Sequence, residues 1–335
     1  MPPAALDPET YVSQLYRLAL KREPDAAGLA HWVAELAGGG DPTAVLAGIL
    51  GSEEFRLAQG VPAWTPPPAL LDGLAEVLGD EPFTIVDVGA QMLGEPHIYE
   101  PLLRAGIRHR VIGFEPLQDR ITERVAAEGG GTLQMLPHAV GDGARHRLHV
   151  NNDDATSSLF PLNRALTQHF NHLNTLRTVR EEEVETRRMD EVVPPGPVDF
   201  LKLDIQGAEL MALEGAGAVL GRTALIHCEV EFSPIYLGQP LFQDVAAHLR
   251  MRGFSFIDLT SEARYSYQGA AGGVSNDRLL WGDALFLRDE GGARVLAAQA
   301  LAALLIYRKP GLAEHVTQQL DGITGGSLAA RFAGG

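Results

Sequence analysis

Apolar positions along the chain follow two different periods, and the change between them falls near residue 83. Before it the repeat is helical. Tyr11, Leu15, Leu18 and Ala19 recur behind Asp7-Pro8, a pair that suits an N-cap followed by Pro at the first helical position. Arg22-Glu23-Pro24-Asp25 breaks that helix and caps the next, whose stripe is Leu29, Trp32, Val33 and Leu36. Gly38-Gly39-Gly40 ends the second helix, and Asp41-Pro42 opens a third carrying Val45, Leu46 and Ile49. Three short helices predict a small all-α domain over residues 7–60, and the proline-rich stretch 61–69 reads as a stiff linker.

After residue 83 the pattern becomes one of near-continuous apolar runs of strand length, at 84–88, 110–114, 133–140, 198–203, 224–230, 254–259 and 284–287. Most are separated by helical patterns. Strands of that kind alternating with helices predict an α/β domain, residues 70–290, built on a mostly parallel sheet covered on both faces. Residues 141–197 are irregular, with Asn151-Asn152-Asp153-Asp154 and a Ser157-Ser158 pair. An insertion of that length is expected to be functional or flexible instead of core. Residues 291–335 read as a C-terminal helical tail, two helices broken at Lys309-Pro310-Gly311.

Composition narrows the partners. With 27 basic and 43 acidic residues the formal charge is −16, which disfavours a polyanion such as nucleic acid. The only cysteine is Cys228, so neither an intrachain disulfide nor a cysteine-based zinc site can form. The first residues carry no basic region followed by an apolar one, so they do not read as a secretory leader, and the expected location is cytoplasmic. The most apolar stretch, 295–307, carries Gln299 and is shorter than the ~20 residues a spanning helix needs.

Candidate chemistry sits where strands end. Ile85-Val86-Asp87-Val88-Gly89-Ala90-Gln91-Met92-Leu93-Gly94 places Asp-x-Gly and a second Gly just past a buried strand, where backbone can approach a ligand closely. In open α/β sheets ligands lie outside the carboxyl ends of the strands. Gly113-Phe114-Glu115-Pro116 ends the next strand, with Glu115 placed 21 residues after Gly94 to accept from both hydroxyls of a ribose. A plain strand-to-helix turn explains either feature alone; the two in register favour a nucleoside cofactor. Dinucleotide sites want G-x-G-x-x-G to seat a pyrophosphate, and that spacing is absent. S-adenosylmethionine carries no phosphate and fits the departure. A third strand end, Lys202-Leu203-Asp204-Ile205-Gln206-Gly207-Ala208-Glu209, puts Asp204 and Glu209 at a helix N-terminus, where Glu209 could simply be a cap. In His227-Cys228-Glu229-Val230-Glu231 the alternation places His227, Glu229 and Glu231 on one face.

These stretches resemble the FkbM-type family of S-adenosylmethionine-dependent methyltransferases. The resemblance rests on Val86-Asp87-Val88-Gly89-Ala90, Gly113-Phe114-Glu115-Pro116, His138-Ala139-Val140-Gly141-Asp142, Met189-Asp190 and, most specific, the Lys-x-Asp-x-Gln-Gly-x-Glu stretch from Lys202 to Glu209. It extends through Glu229–Tyr236 and Trp281–Ala284, covering about residues 83–290. It implies the seven-stranded, Rossmann-like class I methyltransferase sheet, preceded by a small all-α domain and followed by C-terminal helices. It also implies S-adenosyl-L-methionine bound by Asp87, Gly89, Ala90, Gln91, Gly94, Glu115, Pro116, Val140, Asp142 and Asp204. Where the family continues Gly-Ala-Asn-x-Gly, this chain has Gln91 for Asn and a later Gly94, so the loop must bulge. Residues 9–57 look like a short helical domain of unassigned function that carries an Arg-Glu-Pro-Asp signature, here residues 22–25, and is a candidate surface for an unknown partner.

Resemblance and position together make Asp204 the first choice as general base or acceptor-orienting carboxylate, with Glu209 and Glu231 as second choices. The expected reaction is O-methylation of a hydroxyl on a glycan or other small-molecule natural-product acceptor. Alternatives are an NAD-dependent oxidoreductase and a non-catalytic scaffold that keeps the fold. Oxygen-only ligation has no diagnostic spacing, so a divalent cation on Asp204 and a neighbouring carboxylate stays open.

Overall fold

The computed structural model describes residues 7–38, 41–52, 54–55, 64–91, 96–128, 131–269 and 275–334. The chain divides into two compact units, Met1–Thr65 and Pro66–Gly334. In the first, Asp7, Asp25 and Asp41 each cap a helix by accepting a backbone N–H, from Thr10 at 3.1 Å, Gly28 at 2.7 Å and Thr43 at 2.8 Å. The helices are Pro8–Leu15, continued as a wider turn through Leu20, then Ala26–Ala37 and Pro42–Gly51. Val12, Tyr16, Ala19, Leu20, Val45 and Ile49 form their shared core. The Arg22-Glu23-Pro24-Asp25 signature has a structural use here: Arg22 forks onto Glu54, and Asp25 supplies the cap of Ala26–Ala37.

The second unit is built on β1 (Phe83–Val88), β2 (His109–Phe114), β3 (Leu133–Leu136), β4 (Ala139–Val140), β5 (Arg145–Asn151), β6 (Thr178–Arg187), β7 (Val198–Leu203), β8 (Thr223–Glu231), β9 (Phe254–Tyr265) and β10 (Arg278–Arg288). Seven of them form one sheet in the order β3-β2-β1-β7-β8-β10-β9. All neighbours are parallel except β10, which runs antiparallel to both β8 and β9. The central strands are mostly apolar because helices cover them; every residue of β1 and of β8 is buried, Asp87, Glu229 and Glu231 included. The seven strands fall on the seven apolar runs, and the sheet is that of the class I fold.

Two expectations need correction. The run 133–140 is not one strand: Pro137 lacks the N–H a ladder needs, so β3 stops at Leu136 and Ala139–Val140 pairs instead with β6. The stretch 141–197 is not irregular either. It holds β5 and β6 as an antiparallel pair within a second, three-stranded sheet of order β4-β6-β5. These strands are half-exposed and charge-rich, so Arg147–Glu181 pairing across them replaces the apolar signal that marks a buried strand.

The C-terminal helices belong to the second unit. Ala293–Leu305 is buried along most of its length, and Gln299, the polar residue in that apolar stretch, donates to the carbonyls of Ala224 and Arg288, each at 3.0 Å. Pro310–Thr324 follows. Among the described residues no helix is long and apolar enough to cross a membrane. The direction of travel across the sheet reverses between β1 and β7, which leaves a crevice outside their carboxyl ends.

Candidate active site

The crevice is held open by close backbone packing at the ends of β1, β2 and β7. The N–H groups of Gly89 and Ala90 donate to the Phe114 carbonyl at 3.1 and 3.0 Å, and the Asp204 N–H donates to the Val88 carbonyl at 3.1 Å. Gly89 has φ +80°, and a Cβ built there would lie 1.9 Å from the Asp204 carbonyl oxygen, so only glycine lets the two strand ends meet. A cavity of about 860 Å³, including its open mouth, sits above this junction. Its walls are Gly89 and Gln91 after β1, Phe114 to Leu117 at the end of β2, His138 to Val140, Asp204 to Gln206 after β7, and Asp154, Ala155 and Ser157 to Leu159 with Leu148 from the insertion.

Glu115 lines this cavity while only 5% exposed. The Leu117 N–H donates to its Oε1 at 2.9 Å; burial nevertheless raises its pKa above the usual carboxylate value. Phe114, Leu117, Val140 and Leu148 give the same cavity an apolar side. An adenosine with a sulfonium fits such a lining. The lining offers a carboxylate to hydroxyls at Glu115, an apolar wall to a flat ring, and the carboxylates of Asp204 and Asp154 to a positive charge. A pyrophosphate would meet those same carboxylates with no glycine-rich cradle to offset them.

Asp87 does something else. It is 0% exposed and does not line the cavity. Its Oδ2 accepts from Tyr99 Oη and from Arg124 Nη1, both at 2.8 Å, and its Oδ1 lies 3.4 Å from Lys202 Nζ. Burial alone would raise its pKa; the Lys202 and Arg124 charges outweigh that and hold it at about 2. Arg124, itself fully buried, also donates to the Ala90 carbonyl at 2.8 Å, so the network supports the glycine turn from behind.

Beyond β7 the carboxylates gather around a second cavity of about 930 Å³, open to solvent. It is lined by Asp153, Asp204, Glu229, Glu231 and Asp283, by Tyr236, Tyr265 and Trp281, and by Thr156 and several apolar residues. The two cavities share Ala155, Asp204 and Gln206 as common wall. Asp204 Oδ2 is 3.3 Å from Lys202 Nζ, and Gln206 Nε2 donates to its Oδ1 at 3.2 Å. Burial first, and then neighbouring carboxylates, push Glu229 and Glu231 well above the usual range. Burial also lifts Glu209, to about 7.

Of the residues expected at the site, Gly89, Gln91, Glu115, Pro116, Val140 and Asp204 line the first cavity, and Asp204 and Glu231 line the second. Gly94, with Met92, lies outside the described residues. Asp87, Ala90, Asp142 and Glu209 line neither cavity. Asp87 is turned into the buried ion network, and Ala90 serves through its backbone groups. Asp142 closes the turn before β5, accepting from Ala144 N at 2.8 Å and Thr186 Oγ1 at 3.2 Å. Glu209 accepts the Ile205 N–H at 2.7 Å and so braces the turn between β7 and its helix; that helix starts at Glu209 itself with no side-chain cap, so the expected capping role is not met. Lys202, Gln206, Glu229 and Tyr236 went unassigned. The first two stand inside the most specific motif, Glu229 alternates with Glu231, and nothing in the local sequence singles out Tyr236. Among the described residues no group of three or more His, Cys, Asp or Glu side chains is arranged to hold a metal ion.

Comparison with known proteins bears on this arrangement. A model of the methyltransferase FkbM domain matches residues 87–256, and a domain of unknown function, DUF4214, matches residues 4–58. The chain is 29% identical over 114 residues to the 2-O-methyltransferase NoeI of Sinorhizobium fredii, a match over 32% of this chain. It spans about half of that relative, 47% of its length. Among solved structures, the 1,6-didemethyltoxoflavin-N1-methyltransferase of Burkholderia thailandensis is 13% identical, with 75% of this chain and 92% of that one covered at a TM-score of 0.32. A TehB-like S-adenosylmethionine-dependent methyltransferase from Corynebacterium glutamicum is 11% identical, with 70% and 92% covered at a TM-score of 0.30.

Proposed function

The chain belongs to the methyltransferase FkbM family, and from that premise we propose that it methylates a hydroxyl oxygen of a saccharide or related natural-product acceptor. The observation that carries this reading is the shared wall. Asp204 stands in the lining of both cavities, one suited to the cofactor and the other to an acceptor. The second cavity combines aromatic faces with carboxylates, the side chains that stack on a sugar ring and accept from its hydroxyls. A relative that carries 2-O-methyltransferase in its name supports the same acceptor chemistry.

Bound in the first cavity, S-adenosylmethionine supplies a methyl carbon already activated by a sulfonium. The residues that would hold it are Gly89, Gln91, Glu115, Pro116 and Val140. What remains for the chain is alignment and proton removal. An alcohol is a weak nucleophile while protonated, and Asp204, at the junction, takes the hydroxyl proton as the oxygen acquires the methyl group. Lys202 fixes the Asp204 carboxylate on one side and Gln206 on the other, so its orientation is set before any ligand arrives.

The test has two stages. Calorimetric titration with S-adenosylhomocysteine is expected to show binding, and no binding would overturn the cofactor assignment. Incubation with S-adenosylmethionine and a panel of glycans is then expected to add the mass of one methyl group to a hydroxyl. Methylation found only on nitrogen acceptors would overturn the acceptor class.

A further inference from the structure

Gln206 occupies a backbone conformation that its side chain does not favour. Its φ is +57°, in the left-handed region that a residue with a Cβ disfavours, and Gly207 follows at φ +96°. Its carbonyl is held there by Ser158 Oγ, which donates to it at 2.6 Å from the insertion. The side chain is committed as fully as the backbone. Nε2 donates to Glu229 Oε2 at 2.6 Å and to Asp204 Oδ1 at 3.2 Å. Oε1 lies 2.9 Å from the Tyr236 hydroxyl, which is also 2.9 Å from the Thr156 carbonyl and shares its proton between the two acceptors. The reversed amide would put an oxygen against two carboxylate oxygens, so the orientation is fixed by its neighbours. Asp204, Glu229, Tyr236 and Thr156 all line the second cavity, and Gln206 lines both.

We propose that Gln206 is a positioning residue for methyl transfer: its amide forms the partition between the two cavities and fixes the Asp204 carboxylate at their junction. The inference rests on the reading of Asp204 as the proton acceptor. A purely structural role would not need this side chain, since glycine accepts the backbone conformation without strain and the Ser158 bond reaches only the Gln206 carbonyl. The partners of the side chain are instead the groups that face the acceptor. Without the amide, Asp204 keeps only Lys202 among these contacts and is free to swing toward either cavity.

Gln206→Gly removes the amide while relieving the backbone. It is expected to fold, to bind S-adenosylhomocysteine within about threefold of the parent, and to leave the KM for S-adenosylmethionine unchanged while kcat falls about 10–100-fold. Gln206→Glu keeps the shape but replaces both donors with an acceptor, and its kcat should fall at least as far; should the glycine variant fail to fold, this one decides. Parental kcat in a folded variant would overturn the proposal. So would a parallel loss of cofactor affinity and kcat, which would make Gln206 merely part of the cofactor wall. A parent protein that binds S-adenosylhomocysteine yet methylates no hydroxyl would sink the Asp204 reading itself, a separate result.

Discussion

Asp87 and Asp204 stand at the carboxyl edge of one sheet, on or just past neighbouring parallel strands, and both face the same ammonium. Lys202 Nζ lies 3.4 Å from Asp87 and 3.3 Å from Asp204. Their surroundings then diverge. Asp87 is still inside β1, paired in register with Lys202, and its side chain is sealed beneath the crossing glycine turn with Arg124 and Tyr99. Asp204 is one residue past the end of β7, where the chain has left the ladder, and its side chain is 29% exposed. A two-residue difference relative to the strand end therefore separates a carboxylate that supports the site from one that can meet a ligand. In a parallel sheet the strand end, more than the residue type, decides which charges are available for chemistry.

The largest expected effect tests the exposed member. Asp204→Asn keeps the Gln206 contact through an amide oxygen but cannot accept a proton, so turnover should fall by about 10²–10⁴-fold while affinity for S-adenosylhomocysteine stays nearly unchanged. Steady-state kinetics beside calorimetry separate the two quantities. Turnover near that of the parent in a stable protein would erase the distinction between the two aspartates, and Glu231 would be the next residue to examine.

The buried member should behave in the opposite way. Asp87→Asn leaves the fully buried Arg124 with Glu128, at 3.0 Å, as its remaining carboxylate and Lys202 with Asp204 alone, a change that costs up to about 3–5 kcal/mol and is read directly in denaturant unfolding. The pH dependence has a definite sign. A folded pKa of about 2 lies below the unfolded value of about 3.9, so the stabilisation is complete above that value and is lost as pH falls toward 2, by roughly 2–3 kcal/mol. In Asp87→Asn this acid-side loss should disappear. If the variant stayed stable but lost turnover, the roles assigned to the two aspartates would be inverted.

How much of this could be read from the chain follows the same line between buried and exposed. The seven apolar runs marked the seven strands because burial on both faces leaves an unbroken signal, whereas β5 and β6 escaped notice because their half-exposed faces carry alternating charges. Gly89, Glu115 and Asp204 were legible because strand ends carry both the turn residues and the site. Arg124 was not: an arginine in the amphipathic helix Gln118–Glu128 reads as a solvated side chain, and only the tertiary structure shows it fully buried against Asp87. Tyr236 and Ser158 reach Gln206 from positions 30 and 48 residues away, and no local pattern encodes such meetings.

A smaller effect sharpens the comparison from the side of the cofactor. Glu115 shares the burial of Asp87 but not its counter-ions, and unlike Asp87 it lines the crevice. Glu115→Ala should weaken S-adenosylhomocysteine binding by about 1–3 kcal/mol, roughly 5–150-fold, because two ribose hydroxyls lose their acceptor. Thermal stability should change little. Unchanged affinity in calorimetry would remove Glu115 from the site.

Glu209 gives the smallest expected effect and the finest test. It is a third carboxylate of the same neighbourhood, 2% exposed, and it braces the turn after β7 by accepting the Ile205 N–H at 2.7 Å without lining either cavity. Burial lifts its folded pKa to about 7, above the unfolded value near 4.3. Between those values the folded chain holds a proton that the unfolded chain has released, so stability falls as pH rises through the window, by roughly 3–4 kcal/mol. Glu209→Gln keeps an oxygen for the Ile205 N–H and cannot ionise. Its stability should therefore run flatter between pH 4.5 and 7 and equal or exceed that of the parent at pH 8, with turnover within about twofold. Thermal melting across pH, paired with kinetics at one pH, decides the matter. A hundredfold loss of turnover in Glu209→Gln would carry the chemistry from the exposed strand end into the buried wall, and the line drawn between Asp204 and its sealed neighbours would no longer hold.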